Sequence, residues 1–448
     1  MAPLIVWRAS PVRAANRMAV DLAGKADAKE RQTLLMGLRA FPKRFSRGFW
    51  LFFTAAFFYD FGFGLFFFLF NLYLTDLHFD EKILGILTGS LTLGNVVGTI
   101  PVTILVRRFG LQKLLILCFT VAPLISFVRT FVLWTPAQIG LAFLTGVAMS
   151  SWPICFSPTV ASLTTEKNRV SGFSITFATG IGLGTLAGLT GGYLPGLLQK
   201  AGHANALIGS MRTVLQLACL LALLGAWPIL KLRLSTPERT TGRRIRVFHP
   251  FLFWFLPSFV VWNIVTGSFP PFAAVFLQQH LGIALPHVGV VFSIAQLSQF
   301  AAVLLAPLLY RRWGRIAGIG IAQATTAGVL ICMALTPSAN FAIAYYLVYS
   351  GVQWMTGPGI YSLLMDNIPE EERSTASAIQ NFSGAICQAA TAAVTGTCIV
   401  RFGYGSVLLG NAAAALVASM LFIVLLGYGL RRSARPPSFE AGMSQPSL

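Results

Sequence analysis

The sequence has few charged side chains. Asp, Glu, Lys and Arg make up 10% of its 448 residues, whereas soluble proteins carry about a quarter. Hydrophobic residues reach 55%, and the mean hydropathy is +0.72. This composition excludes an ordinary soluble protein and predicts a chain embedded in a membrane.

Catalytic and metal-binding patterns are also missing. The cysteines lie inside apolar runs without a CxxC pair or a Cys/His cluster, which excludes a disulfide framework or a zinc site. They are Cys118, Cys155, Cys219, Cys332, Cys387 and Cys398. The sequence has no HExxH, GxSxG or P-loop motif and no paired carboxylates within an apolar run. We therefore expect no cofactor, no metal and no enzymatic activity.

Long apolar runs are what the sequence does contain. Beyond residue 48 they follow one another, each of about 20 residues or more, enough to cross about 30 Å of hydrocarbon as a helix. They lack the alternation of barrel strands, so the predicted fold is an all-α membrane protein. The twelve expected spans are 49–75, 83–106, 113–134, 136–163, 170–197, 205–231, 249–279, 286–310, 316–336, 339–366, 374–400 and 404–430.

The spans form two sets of six, separated by a polar connection. The predicted regions are a basic amino-terminal tail (1–47), a first six-helix bundle (48–231), a central loop (232–248), a second bundle (249–430) and a tail (431–448). The stretch from Pro11 to Arg39 is interpreted as a poorly ordered cytoplasmic tail, with a basic amphipathic helix on the membrane surface as the alternative.

Basic residues orient the chain. There are 33 Lys and Arg against 14 Asp and Glu, a net charge of +19. The tails and the loops after even-numbered spans hold 28 of the 33, and 18 against 5 remain without the amino-terminal tail. By the positive-inside rule this side is cytoplasmic, which predicts a cytoplasmic (inner) membrane protein with both termini inside. Nucleic-acid binding is not expected, because the basic residues do not combine with aromatics in a soluble unit.

An internal repeat with an offset of 204 residues runs through the chain. It superimposes Gly85 on Gly289, Arg107-Arg108-Phe109-Gly110 on Arg311-Arg312-Trp313-Gly314, Arg169 on Arg373, Gly180 on Gly384 and Gly192 on Gly396. The matches fall in corresponding loops and spans, so the sequence predicts two related halves.

These features resemble the major facilitator superfamily over residues 48–430. The resemblance implies two helical bundles that rock about a central site in alternating access. In the family's loop signature, Gly-x-x-x-Asp-Arg-x-Gly-Arg-Lys or a similar pattern, this chain keeps Arg108, Gly110 and Lys113. Arg107 replaces the Asp of the usual latch between the bundles.

A cytoplasmic gate is predicted around the two Arg-x-Gly loops. A loop glycine permits a tight turn of positive φ, and the adjoining Arg can reach a carboxylate. Asp366 is the expected partner of Arg312, with Glu166 and Arg108 as a weaker equivalent; the alternative is that these charges serve topology only. The predicted gate comprises Arg108, Gly110, Arg312, Gly314, Asp366 and Glu166.

Small residues predict close helix packing. Span 5 carries a stripe of glycines four residues apart, Gly180, Gly184, Gly188, Gly192 and Gly196. Such a stripe allows close backbone contact, and Ala385, Ala389 and Ala393 on span 11 suggest a second sliding contact between the halves. The stripe also resembles, without its Pro, the Gly-Pro-x-x-Gly-Gly motif of the family's antiporters, which favours export slightly.

Ionisable side chains within the spans are the strongest functional candidates. Asp60 lies near the middle of span 1, which lines the central cavity in the family, and is the predicted proton-coupling residue. The alternative is a structural Asp paired with a basic residue or capped by hydroxyls. Arg129 and Arg212 are expected to snorkel to the outer interface, with direct substrate contact as the alternative.

Neutral polar and aromatic side chains are the remaining cavity candidates. They are Tyr59, Ser151, Trp152, Asn263, Gln296, Gln299, Tyr349, Gln353 and Trp354. Such a wall suits a neutral, zwitterionic or singly charged organic solute. The sequence thus predicts a monomeric secondary active transporter whose partners are a small-molecule substrate, a proton and the lipid bilayer. A non-transporting receptor or scaffold is the alternative, and a membrane-embedded enzyme ranks third.

Overall fold

A computed structural model describes residues 45–165, 168–202, 206–234, 250–369 and 372–427. The regular elements in these ranges are helices. Outside the described residues lie most of the predicted amino-terminal tail, most of the central loop and the carboxy-terminal tail. Glu166 of the predicted gate also lies outside them.

Eight helices form the first half of the structure, residues 45–231. They are α1 Arg47–Asp76, α2 Glu81–Phe109, α3 Leu111–Arg129, α4 Thr135–Met149, α5 Ser151–Leu163, α6 Arg169–Lys200, α7 Leu207–Leu224 and α8 Ala226–Lys231. Side chains set two of the starts: Ser46 and Asp80 accept hydrogen bonds from the backbone N–H groups three residues on, of Phe49 and Ile83. Ser150 and Gly225 keep near-helical backbone angles, so α4–α5 and α7–α8 each form one continuous span.

The second half, residues 250–427, follows the same plan. Its helices are α9 Phe251–Ser268, α10 Leu285–Trp313, α11 Arg315–Leu335, α12 Ala339–Asp366 and α13 Arg373–Leu421. After α9 the chain continues through a 3₁₀ turn (Pro270–Phe272), Ala273–Val275 and a π turn (Phe276–His280). Two consecutive prolines lack the N–H groups that a regular helix would need there.

Helix starts recur with the offset of the sequence repeat. α9, α10, α11, α12 and α13 begin 204 residues after α1, α2, α3, α4 and α6, respectively. Turn geometry recurs as well: Gly110 and Gly314 have φ of 85° and 77°, and His78 and Gly282 have φ of 66° and 67°. These values confirm the positive φ expected at the two loop glycines. Glycine adopts such a φ freely because it has no Cβ.

Ten segments of the described residues are long and apolar enough to cross a membrane. The last, 375–426, has 52 residues, far more than the roughly 20 that one crossing needs. Gly403 interrupts it with φ 76° and ψ 169°, between the predicted spans 374–400 and 404–430. α12 adds a further helix of 28 residues. The regular structure of the described ranges is therefore all-helical, and the chain is a multi-pass membrane protein.

Two pairs of long helices make the main contacts between the halves, α2 with α13 and α6 with α10. Glycines bring the backbones together in both pairs. A methyl group at Gly192 would lie 3.0 Å from Gly289 Cα, and one at Gly85 would lie 3.2 Å from Gly396 Cα. Backbone-to-backbone contacts of this kind hold membrane helices close without interlocking side chains.

Hydrogen bonds between the halves gather at one end of the structure. We call this the first-loop end, since it carries the turn 77–80; the opposite, central-loop end carries the Gly110 turn. The bonds are Asn71 Nδ2 to Pro271 O (3.1 Å), Gln278 Nε2 to Asp76 Oδ1 (3.4 Å), Gln279 Nε2 to the same oxygen (3.5 Å) and Tyr404 OH to Glu81 Oε1 (3.3 Å). A further bond, from Ser293 Oγ to Thr185 O (2.7 Å), lies deeper, on the α6–α10 contact.

Candidate functional site

A cavity of about 400 Å³ lies between the two halves. We call it the central cavity. Its lining is mainly apolar and aromatic, with a few polar groups, which is the usual make-up of a small-molecule site. The lining residues are Gly64, Phe67, Phe68, Phe70, Asn71, Leu87, Thr88, Leu91, Arg129, Gly184, Pro270, Pro271, Ala274, Phe292 and Gln296.

Both halves build this cavity. The first half contributes α1, α2, the last residue of α3 and Gly184 of α6, and the second half contributes α10 and the segment around Pro270. Asn71 donates to the carbonyl oxygen of Pro271 at 3.1 Å and so joins the two walls. A relative movement of the halves must therefore change the shape of the cavity.

Arg129 is the charged residue of the lining, and its position corrects the expectation that it snorkels outward. Its side chain is 3% exposed. Nε donates to Gln138 Oε1 at 3.2 Å, and the Gln138 amide donates to the carbonyl oxygens of Arg129 (2.6 Å) and Val132 (2.7 Å). The guanidinium carbon lies 4.5 Å from the centroid of the Phe70 ring. Gln138 and Phe70 thus hold the guanidinium inside the protein. There, a cation–π contact with Phe70 partly replaces the hydration that the charge would have in water.

One guanidinium nitrogen of Arg129, Nη1, is buried and has no hydrogen-bond partner in the described part of the chain. A buried donor without a partner is unusual and calls for an explanation. Because the same side chain lines the cavity, an acceptor group of a bound solute is one way to satisfy it.

Arg212 behaves differently from Arg129, although it too lies in the first half. Its Nε donates to the hydroxyl of Tyr73 at 2.8 Å, and that hydroxyl donates to Thr130 O at 3.0 Å. Its guanidinium carbon lies 6.0 Å from the Phe131 ring. Arg212 is partly exposed and is not part of the cavity lining, so it is anchored to α1 and its outward snorkelling stays a prediction.

Asp60 lies on α1 one helical turn before Gly64, which lines the cavity. A methyl group at Gly180 of α6 would lie 3.8 Å from Asp60 Oδ2. Within the described ranges the Asp60 carboxylate has no hydrogen-bond or ion-pair partner, so neither the basic residue nor the hydroxyl cap of the structural alternative is found there. The carboxylate faces the glycine stripe instead.

The rest of the glycine stripe faces α10. Gly184 contacts the amide of Gln296, and a methyl group at Gly188 would lie 2.6 Å from Ser293 Oγ. Gly192 meets Gly289, whereas a methyl group at Gly196 would have no described atom within 4 Å. The stripe therefore leads from Asp60 past the cavity wall to the contact between the halves.

The predicted cavity residues of the first half lie elsewhere. The Tyr59 ring stacks on Phe119 at 4.2 Å and lies 5.4 Å from the Trp152 ring, and its hydroxyl is 3.1 Å from Cys118 Sγ. Ser151 is buried as well. These side chains form a packed core of the first half, because neighbouring positions such as 59 and 60 point about 100° apart on a helix.

The predicted cavity residues of the second half are mostly engaged within that half. Asn263 accepts from Gln388 Nε2 at 2.7 Å, and Gln299 Nε2 donates to Ser350 Oγ at 2.7 Å. Tyr349 and Gln353 are buried, whereas Trp354 is 57% exposed. Of the predicted set, Gln296 lines the central cavity.

At the central-loop end, Asp366 forms an ion pair with Arg315. The prediction that Asp366 pairs with Arg312 is therefore wrong. Arg315 also donates to Ser362 Oγ at 2.8 Å. The reason is geometric: Gly314, at φ 77°, turns the chain so that the first residue of α11 meets the last turn of α12. Arg108 lies over the neighbouring ring of Phe109, 5.4 Å from its centroid, and its predicted partner Glu166 is outside the described residues.

Sequence reasoning missed Asn71, Thr88, Gln138 and Phe292. An amide within the Phe-rich span 1 was a usable signal for Asn71, since polar groups in a span tend to face a cavity or a partner. The sequence held no such signal for Phe292. A phenylalanine in a span can face lipid, pack in a core or line a cavity, and the sequence pattern is the same in all three cases.

Comparisons with known proteins agree with one another. The sequence model of the Major Facilitator Superfamily matches residues 52–392. The fold is similar to the nucleoside transporter NupG (TM-score 0.69, 15% identity, covering 86% of this chain and 100% of that one). It is also similar to a bacterial homologue of the human lysosomal transporter Spinster in an inward-facing, occupied conformation (0.65, 14%, 86% and 95%) and to a D-xylose–proton symporter (0.65, 14%, 84% and 96%). No curated protein sequence matches this chain significantly.

Proposed function

This chain belongs to the major facilitator superfamily, and we propose that it is a secondary active transporter of a small organic solute, coupled to protons through Asp60, with export slightly favoured over uptake. The observation that carries the proposal is the central cavity, which both halves build and which no single half encloses. Rocking of the halves would then open the cavity to one side at a time.

The proposed topology has twelve spans in the cytoplasmic membrane, six in each bundle, with both termini in the cytoplasm. The recurring helix starts support the pairing of the two bundles. The break at Gly403 supports two spans within the 52-residue apolar segment. The bundles are assigned to 48–231 and 249–430, and the positive-inside rule makes the central-loop end cytoplasmic.

Alternating access is supported by the kind of contact that joins the halves. Glycine and alanine backbones meet along α2–α13 and α6–α10, and such smooth surfaces can slide without unlocking large side chains. The polar ties gather at the first-loop end. With the charge bias, these hydrogen bonds support a state that is closed on the outer side.

Proton coupling is assigned to Asp60 because of its surroundings. A carboxylate inside a span is costly unless it is paired or protonated. Asp60 lies one turn before Gly64 of the cavity lining, and a methyl group at Gly180 would lie 3.8 Å from its Oδ2. The fold of the D-xylose–proton symporter is compatible with such coupling.

The test uses the purified full-length chain. A solute that raises Tm is first identified, because a ligand stabilises the folded state by mass action. In proteoliposomes holding a pH-sensitive dye, that solute should drive proton movement with wild type. Asp60→Asn should keep solute counterflow and lose proton movement. Coupling intact in Asp60→Asn would contradict the assignment.

Binding without counterflow in the wild-type protein would favour the receptor or scaffold instead. Tyr59→Phe serves as the matched control for Asp60→Asn, since Tyr59 is the neighbouring residue but packs in the core of the first half. It should keep both counterflow and proton movement.

A further inference from the structure

We propose that Arg129 binds the anionic group of the solute, and that the solute is an organic monocarboxylate with an apolar body. This inference rests on the proposed transport function, whose solute class it names. It starts from an uncompensated charge: Arg129 is 3% exposed, and none of the described carboxylates lies within ion-pair distance of it.

An isolated buried charge is strongly unfavourable. Gln138 accepts one hydrogen bond from Nε, and the Phe70 ring covers the guanidinium carbon at 4.5 Å. These neutral contacts leave the charge without a counter-ion and Nη1 without an acceptor. A carboxylate satisfies both needs at once, because its two oxygens match the planar fork of a guanidinium.

The rest of the central cavity restricts the solute to one negative charge. Besides Arg129, its polar lining groups are the neutral side chains of Asn71, Thr88 and Gln296. The guanidinium of Arg212 is turned to Tyr73 and is not part of the lining. A phosphate monoester or a dicarboxylate would bring a second charge that the described lining does not balance.

The shape and surface of the cavity indicate the body of the solute. Its volume of about 400 Å³ suits a small molecule. The lining also includes Phe67, Phe68, Phe292 and two prolines. Apolar and aromatic walls favour an aliphatic or aromatic body over a polyhydroxylated one.

The experiment compares probes that share a body and differ in charge. Phenylacetate, phenylacetamide, phenethylamine and benzylphosphonate are titrated into the purified full-length protein in detergent, with 4-methylpentanoate as an aliphatic carboxylate. Tm shifts and equilibrium binding give Kd. At a pH above the second pKa of the phosphonate, where it is a dianion, we expect the two carboxylates to bind and stabilise the protein. The amide, the amine and the phosphonate should bind more weakly or not at all.

Substitutions test the role of Arg129 directly. Arg129→Gln should weaken carboxylate binding by about tenfold to a hundredfold, the usual contribution of a hydrogen bond to a charged group. Arg129→Lys should keep part of the affinity, because it keeps the charge but not the fork. Arg212→Gln is the matched control and should leave Kd unchanged. A purely structural Arg129 would instead give an Arg129→Gln protein of lower Tm with unchanged selectivity for charge.

The inference is overturned if neither carboxylate binds, if phenylacetamide binds as well as phenylacetate, if benzylphosphonate binds more tightly, or if folded Arg129→Gln keeps the wild-type Kd. These are equilibrium measurements in detergent and do not depend on transport. Carboxylate binding through Arg129 without counterflow in vesicles would contradict the transport proposal alone.

Discussion

Gly192 of α6 and Gly289 of α10 meet backbone to backbone across the two halves, and a methyl group at Gly192 would lie 3.0 Å from Gly289 Cα. Their counterparts in the repeat, Gly396 and Gly85, meet in the same way, with 3.2 Å between a methyl group at Gly85 and Gly396 Cα. The two contacts between the halves are thus built from equivalent pairs of glycines.

Gly289→Ala should therefore weaken closure of the first-loop end. The added methyl group would overlap the carbonyl oxygen of Gly188, and overpacking of this kind costs about 1–3 kcal/mol. We expect faster hydrogen–deuterium exchange in the turns 77–80 and 281–284. Gly196→Ala is the control, since no described atom lies within 4 Å of its added methyl group. Equal exchange in both variants would show that this contact does not control closure.

Tyr404→Phe should loosen the same end by a smaller amount. It removes the hydrogen bond from the Tyr404 hydroxyl to Glu81 Oε1, which measures 3.3 Å. A hydrogen bond contributes about 1 kcal/mol net, so exchange in the two turns should rise by up to about tenfold. Tyr361→Phe, at an exposed position on α12, should have no effect. If the Tyr404→Phe protein exchanged at the wild-type rate, this hydrogen bond would not contribute to closure of the first-loop end.

Arg315 and Asp366 should show measurable coupling, and Arg312 and Asp366 should show none. The first pair forms an ion pair whose side chains are 43% and 50% exposed, and such exposed pairs contribute about 0–1 kcal/mol. A double-mutant cycle on thermal stability, with Arg315→Gln and Asp366→Asn, measures the coupling; the cycle with Arg312→Gln is its control. Coupling through Arg312 instead would favour the gate pairing that the sequence predicts.

Gln296→Ala and Tyr59→Phe should separate binding from stability. Gln296 lines the central cavity, so its loss should change Kd for the solute. Tyr59 is buried against Phe119, and its hydroxyl is 3.1 Å from Cys118 Sγ. Its substitution should lower stability by about 1 kcal/mol and leave Kd unchanged. If Tyr59→Phe changed Kd and Gln296→Ala did not, the solute would bind in the core of the first half and not in the central cavity.

The membrane environment and the repeat follow from the sequence alone, whereas the sidedness stays a prediction of the positive-inside rule. Low charge and long apolar runs leave helices as the structure that satisfies the backbone in lipid. The offset of 204 residues recurs in the helix starts, and the positive φ at Gly110 and Gly314 follows from the properties of glycine. Each of these is a local or periodic property, so it needs no knowledge of which helices touch.

Which side chains face the cavity depended on the tertiary structure. The spans are apolar on every face, so periodicity does not distinguish lipid, core and cavity. Asp60 and Tyr59 are neighbours in sequence, yet one faces Gly180 and the other packs on Phe119. Arg129 turns inward because Gln138, on the next helix, and Phe70 meet it there. Such partners come from other helices, and only the packing of those helices decides where a lone charge in a membrane can lie.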